Sequence, residues 1–141
     1  MSNGVIYNLV QYFEDFSLGT IGDDLFANVR DIMTSPQIAD EITLFTETGG
    51  TESAWFGYIE QMIQMMNRST DVNRARNLAM DYYLEINNRF GVLLPLVTIG
   101  VRTYNDIQIA QISSNSLPQL IGYDENGRAK FTTNFRLIYR R

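Results

Sequence analysis

Cysteine and histidine are both absent from the 141-residue sequence, and lysine occurs once, as Lys130. Without cysteine there is no disulfide framework, no thiolate zinc site and no thiol nucleophile. Without histidine there is no Ser-His-Asp triad and no side chain that shuttles protons near neutral pH at its ordinary pKa. Chemistry would fall to carboxylates, Lys130 or tyrosines. Charged residues are also scarce, at 19% against the quarter usual in soluble domains. Long apolar runs are missing too. The longest, Val92 to Val101, is interrupted by Pro95, Thr98 and Gly100, and is about half the ~20 residues of a membrane helix. The first basic residue is Arg30, so no positive segment precedes an apolar one as in an export signal. A soluble chain in a cytoplasm is the expectation, and the sequon Asn67-Arg68-Ser69 is then silent.

What is present is a hydrophobic content of 45%, enough for a core in one domain spanning residues 1–141. The net charge of −5 conceals a division along the chain. Residues 1–67 hold ten acids and one base, whereas residues 68–141 hold ten bases and six acids. Ten of the eleven bases are arginines, whose planar donor forks suit fixed interfaces. The acidic balance opposes a nucleic-acid-binding module.

Residues 3–16 space Val5, Ile6, Leu9, Val10, Phe13 and Phe16 as an amphipathic helix, with Ser2 or Asn3 as cap and Gly19 beyond its end. Residues 25–30 and 41–46 have strand composition, separated by a break at Ser35-Pro36. Thr48-Gly49-Gly50-Thr51 is expected to be a turn or flexible loop. Residues 58–66 fit both periods. Ile59, Met62, Ile63 and Met66 make a helical stripe, while Ile59, Ile63 and Met65 share one face of a strand. Residues 70–90 form the clearest helix, with Ala75, Leu78, Ala79, Tyr82, Ile86 and Phe90 in its stripe and Gly91 as its stop. Residues 97–103 and 107–112 are expected to pair through a turn near Tyr104-Asn105-Asp106. Residues 129–140 alternate, with Phe131, Thr133, Phe135, Leu137 and Tyr139 on one side, as in a half-buried antiparallel strand. Asn126-Gly127 supplies a tight turn before it. These elements make one α+β domain: an antiparallel or mixed β-sheet with an N-terminal helix and one long helix packed on it.

Candidate chemistry is thin. Asp23-Asp24 and Asp40-Glu41 are adjacent pairs whose side chains diverge, so neither makes a carboxylate dyad. Asp124-Glu125-Asn126-Gly127 lacks the alternate ligands and terminal glutamate of a calcium loop. Gly49-Gly50 is not followed by the Gly-Lys-Ser/Thr of a phosphate cradle, and Ser17, Ser113 and Ser114 lie in no nucleophile elbow. Met62–Met66 is either core filling or a plastic partner surface, and Tyr82-Tyr83 either core or interface anchor. Basic and aromatic residues interleave in the last fourteen positions, but mostly on opposite faces of the strand. No catalytic residue, cofactor or metal ligand is assigned, and no enzyme is expected.

The segment Pro118 to Phe135, PQLIGYDENGRAKFTTNF, resembles the C-terminal portion of tail terminator proteins of long-tailed bacteriophages, also labelled tail completion or minor capsid proteins. The shared elements are Pro118, Gly122, the turn Asp124 to Arg128, Asn134 and Phe135. The upstream order agrees: an amphipathic helix, short strands, Gly49-Gly50, a strand ending near Arg68, then a helix with Arg74, Arg76 and Ala79 in an Arg-x-Arg-x-x-Ala pattern. Residues 92–106 match nothing in that pattern.

The resemblance implies that residues 58–66 are a strand and that the chain is a virion protein of the phage tail and neck, assembled in the host cytoplasm. It implies a homohexameric ring that caps the tail tube, stops its polymerisation and offers a surface for head-tail joining. Its partners are then the tail tube protein and a head completion or connector protein, with genome DNA passing through the lumen unbound and no membrane involved. Arg68, Arg74, Arg76, Asp124, Glu125, Asn126 and Arg128 are the interface candidates, chosen for charge and for exposure of the turn. Acids of residues 14–60 are expected on one side of the subunit contact or along the lumen. The alternatives are a neck adaptor on the portal side and, in another class, a small α+β ligand-binding domain or enzyme.

Overall fold

The computed structural model describes residues 4–29, 40–53 and 57–140. The expected α+β class holds, as two helices and a mixed, mostly antiparallel sheet. The first helix, α1 (Val5–Asp15), buries Val5, Ile6, Leu9, Val10, Tyr12 and Phe13. Its N-cap is Gly4, which carries no capping side chain; a Cβ there would run into the Tyr104 ring. Ser2 and Asn3 lie outside the described residues. The helix ends before Gly19, with Ser17 taking the positive φ of 61°.

Strand β1 (Leu25–Ala27) lies parallel to β2 (Ile42–Glu52), which pairs antiparallel with β3 (Tyr58–Ser69). The last strand, β9 (Ala129–Arg140), pairs with β3 along its full length. The far side of β9 is shared. Strand β7 (Ile107–Ser113) pairs with the stretch Arg136–Tyr139, and β8 (Gln119–Tyr123) with Ala129–Thr132. Strand β4 (Arg89–Leu94) adds to the outside of β7, and β5 (Val97–Ile99) with β6 (Arg102–Tyr104) forms a separate hairpin. The second helix, α2 (Val72–Ile86), buries Ala75, Ala79, Tyr82 and Ile86. Among the described residues no helix is long and apolar enough to cross a membrane.

The alternation in β9 is as expected: Phe131, Thr133, Phe135, Leu137 and Tyr139 all point inward and are buried. Residues 58–66 are strand, with Ile59, Ile63 and Met65 in the same core. Phe13 of α1, Phe45 of β2 and Tyr82 of α2 join there, with ring centroids 5.3 and 4.8 Å apart about Phe13. Each such ring contributes roughly 1.5–3 kcal/mol by leaving water. A smaller cluster of Phe26, Ile42 and Leu44, with Met66 against it, lies apart from this core.

Four expectations are corrected. Thr48-Gly49-Gly50-Thr51 is not a loop but part of β2. An irregularity between Glu47 and Gly49 absorbs one residue, and pairing with β3 continues to Glu52. The helix expected to Phe90 stops at Ile86. Asn87 turns extended, and its Oδ1 accepts the Ser114 N–H at 2.7 Å. Asn88 then takes a positive φ of 58°, and Phe90 becomes strand. Residues 97–103 do not pair with 107–112, because β4 takes that place. Gly100, with φ 64°, instead folds Val97–Tyr104 onto itself. The strand expected at 25–30 is regular only to Ala27, and the break at Ser35-Pro36 lies outside the described residues.

The unplaced stretch 92–106 thereby gains a role. Its hairpin sits on α1, where the buried Asn8 side-chain amide donates to the carbonyls of Pro95 (2.8 Å), Asn105 (3.0 Å) and Tyr104 (3.3 Å). Tyr7 stacks on Tyr104 at 5.1 Å. A polar side chain that caps three stray carbonyls explains why it tolerates burial.

Candidate functional site

The β8–β9 hairpin turn is closed by its own side chain. Asp124 Oδ1 accepts the N–H groups of Asn126 at 2.8 Å and Arg128 at 2.9 Å, and Gly127 supplies the positive φ of 74°. This posts Arg128 back toward the start of α2. There its Nε lies 3.5 Å from Asp40 Oδ1 and its Nη1 3.8 Å from Asp124 Oδ2. Asp40 also accepts from the Thr70 N–H and from the Ser69 and Thr70 hydroxyls. Asp71 caps α2 by accepting the Asn73 N–H at 2.9 Å.

Arg68, at 0% exposure, lies within the same group. Burial pushes its guanidinium below the usual arginine range and the Arg128 charge adds to this, while Asp124 and Asp40 oppose it. Arg68, Asp124 and Arg128 are therefore brought together inside the subunit. With Asp40 they fasten the hairpin to the β3–α2 junction. Arg74 and Arg76 stand exposed on α2, and Glu125 and Asn126 are exposed at the tip of the turn. Only these four of the seven candidates present themselves to a partner.

The acids of residues 14–60 divide in the same way. Glu14 accepts the Ile21 N–H and Asp24 the Thr20 N–H, and Asp40 is committed as above. Glu47 and Glu52 are instead exposed on β2, beside Glu60 of β3, around a shallow groove that also includes Gly49, Gly50 and Thr51. Glu60 reaches Arg136 at 3.8 Å. The buried Tyr139 hydroxyl donates to Gln61 Oε1 at 2.9 Å. Burial, with Glu47 and Glu52 nearby, pushes the tyrosine pKa up. Among the described residues no group of three or more Asp or Glu is placed to hold a metal.

Exposed apolar side chains gather in the later strands. Nine of the fourteen exposed large apolar side chains among the described residues fall between Phe90 and Tyr123. Phe90 (68% exposed) and Leu93 lie on β4, and Leu120, Ile121 and Tyr123 on β8. Sequence reasoning missed this surface. Phe90 completed a helical stripe, and Leu93 and Leu96 lay in the stretch that matched nothing. The available signal was Pro95, which separates two short apolar segments too close together for one helix.

No family model matches the chain. A type 1 calcineurin B protein from Dictyostelium discoideum is similar over 136 residues at 21% identity, across 94% of this chain and 75% of that protein. At that identity the likeness shows no family.

Proposed function

We propose that this chain is a structural assembly protein, the tail terminator of a long-tailed bacteriophage. Six copies close a ring on the end of the tail tube, halt its polymerisation and present a surface to the head completion or connector protein. The DNA passes through the lumen without specific contacts. The observation that carries this reading is the concentration of exposed apolar side chains between Phe90 and Tyr123. Exposed apolar area at ~25 cal/mol per Å² is costly for a lone copy, and burial against partners relieves it. Among the described residues no strand pairs with the outer side of β4, which leaves that edge of the sheet for a neighbour. The acidic side chains of Glu47 and Glu52 along the β2 groove support a contact or lumen that repels phosphate.

Interrupting the gene in the phage tests the role. Aberrantly long tails unattached to filled heads are expected. Free tails of normal length would contradict termination and point to the neck adaptor instead.

A further inference from the structure

Alternation along β9 sends Phe135 and Leu137 into the core, where Phe135 meets Tyr83 of α2, and turns Asn134 and Arg136 to the opposite face of the sheet. On that face Arg136 lies between its cross-strand partners, Met62 of β3 and Ser113 of β7. The sheet is notched beside it. Strand β7 ends at Ser113 and β8 starts at Gln119, opposite Thr132, so among the described residues no strand pairs with that side of β9 from Thr133 to Phe135. The loop 114–118 borders the notch and is held in shape. Its Ser114 N–H donates to Asn87 Oδ1 at 2.7 Å, and the Ser114 hydroxyl to the Ser116 carbonyl at 2.9 Å. On the β2 side, the irregularity between Glu47 and Gly49 leaves Thr48 outside the ladder with β3, as bulges do when they re-aim a side chain. Thr48, Met62, Ser113 and Arg136, with Asn134 and the loop residues Asn115 and Ser116, line a cavity of about 320 Å³.

The lining sets the chemistry of what fits. Among the described residues Arg136 is its one charged group, which favours an anion. The Arg136 ion pair with Glu60 spans 3.8 Å, with the two side chains 42% and 44% exposed, and pairs that open to water are weak. A carboxylate or phosphate held bidentately satisfies the guanidinium fork better. The remaining polar groups are the hydroxyls of Thr48, Ser113 and Ser116 and the amides of Asn115 and Asn134. They are neutral and both donate and accept, as the hydroxyls of a ligand do. Met62 supplies an apolar contact for its carbon skeleton. The volume is at the lower end of small-molecule sites, which begin at about 300 Å³. We infer that this cavity binds a small hydroxylated anion, a sugar acid or a sugar phosphate. Arg136 holds its charged group, and Asn134, Ser113 and the loop hold its hydroxyls.

Calorimetric titration of the full chain with gluconate, glucose 6-phosphate, glucose and inorganic phosphate tests this, with methionine methyl NMR signals marking the place. At least one of the two hydroxylated anions is expected to bind with a Kd below about 1 mM, and the tighter of them identifies the charged group. It should shift the Met62 methyl and leave that of Met65, buried on the other face, where it is. Glucose, which lacks the charge, and inorganic phosphate, which lacks the hydroxylated body, should each bind roughly tenfold more weakly or worse. Arg136→Gln should weaken the tighter ligand by roughly tenfold or more. Asn134→Asp, at an exposed position, sets a like charge against the anion and serves if Arg136→Gln alters the circular dichroism spectrum. Failure of both hydroxylated anions to bind, or glucose or inorganic phosphate binding as tightly as they do, would overturn the assignment. So would a bound ligand that leaves Met62 unshifted, or affinity that both variants leave unchanged.

Discussion

Replacing Asp124 with alanine should be the most costly single change at the β8–β9 hairpin, although its neighbour Glu125 has the same charge. The Asp124 side chain is 2% exposed, and Arg128 is a near neighbour. It accepts two backbone N–H bonds, each worth about 1.5 kcal/mol or more for a charged acceptor. Its loss also removes one carboxylate from beside Arg68 and Arg128, both buried. Breaking a buried ion pair costs about 3–5 kcal/mol, although part of this returns as the hairpin relaxes toward water. A total near 3–4 kcal/mol follows, or about 10–13 °C in Tm for a chain of this size. Urea unfolding followed by circular dichroism at one fixed protein concentration measures it. Glu125→Ala, at the exposed tip, should stay within about 0.5 kcal/mol of wild type. If Asp124→Ala lost less than about 1 kcal/mol, or no more than Glu125→Ala, the buried charge group would not be what fastens the hairpin.

Asp40 links the same region to pH. Burial alone would raise its pKa, but the Thr70 N–H, the Ser69 and Thr70 hydroxyls and Arg128 together hold it below its ordinary value of 3.8. A depressed carboxylate stabilises the fold fully above its unfolded value and loses that contribution as pH falls through the folded one. Asp40→Asn should therefore flatten the decline in stability below pH 3.8, as read from thermal melts across an acid series; an unchanged acid limb would contradict this. Tyr82→Phe should cost about 1–2 kcal/mol in urea unfolding, because the Leu18 carbonyl loses its 3.1 Å donor. Gly50→Ala should destabilise by about 1–3 kcal/mol and perturb β2–β3 amide exchange first. Its Cβ would collide with the Glu60 carbonyl oxygen.

The sequence was most readable where one physical rule acted alone. In β9 the core lies on one side, so strict alternation identified its inward residues. In α1 the 3.6-residue stripe did the same from Val5 to Phe13, but not at Phe16, which lies past the helix end and is exposed. Legibility failed where local preference met a distant partner. Met62, Met65 and Met66 favour helix by propensity, yet pairing with β2 and β9 on both sides makes Tyr58–Ser69 a strand. The stripe ending at Phe90 continued beyond the real helix, because the stop depends on Asn87 bonding to Ser114 across the fold. Gly49-Gly50 signalled a loop by composition, while the register irregularity beside it keeps the strand paired. The candidate site shows the same limit. Arginine at position 68 suggested surface, but the carboxylates of Asp40 and Asp124 favour its charged form inside the fold. Asp124 lies more than fifty positions away in the chain. Apart from the break at Pro95, the exposed apolar side chains of β4 and β8 were hidden for a related reason. No local pattern distinguishes a core leucine from one left open on the last strand.

The most direct measurement of the central claim is electron microscopy of tail tubes polymerised from the phage's own tube protein with and without this chain, with the chain gold-labelled. Tubes of restricted length with label confined to one end are the predicted result. Tubes that lengthen equally in its presence, with label absent from their ends, would contradict the role of the chain as a terminator.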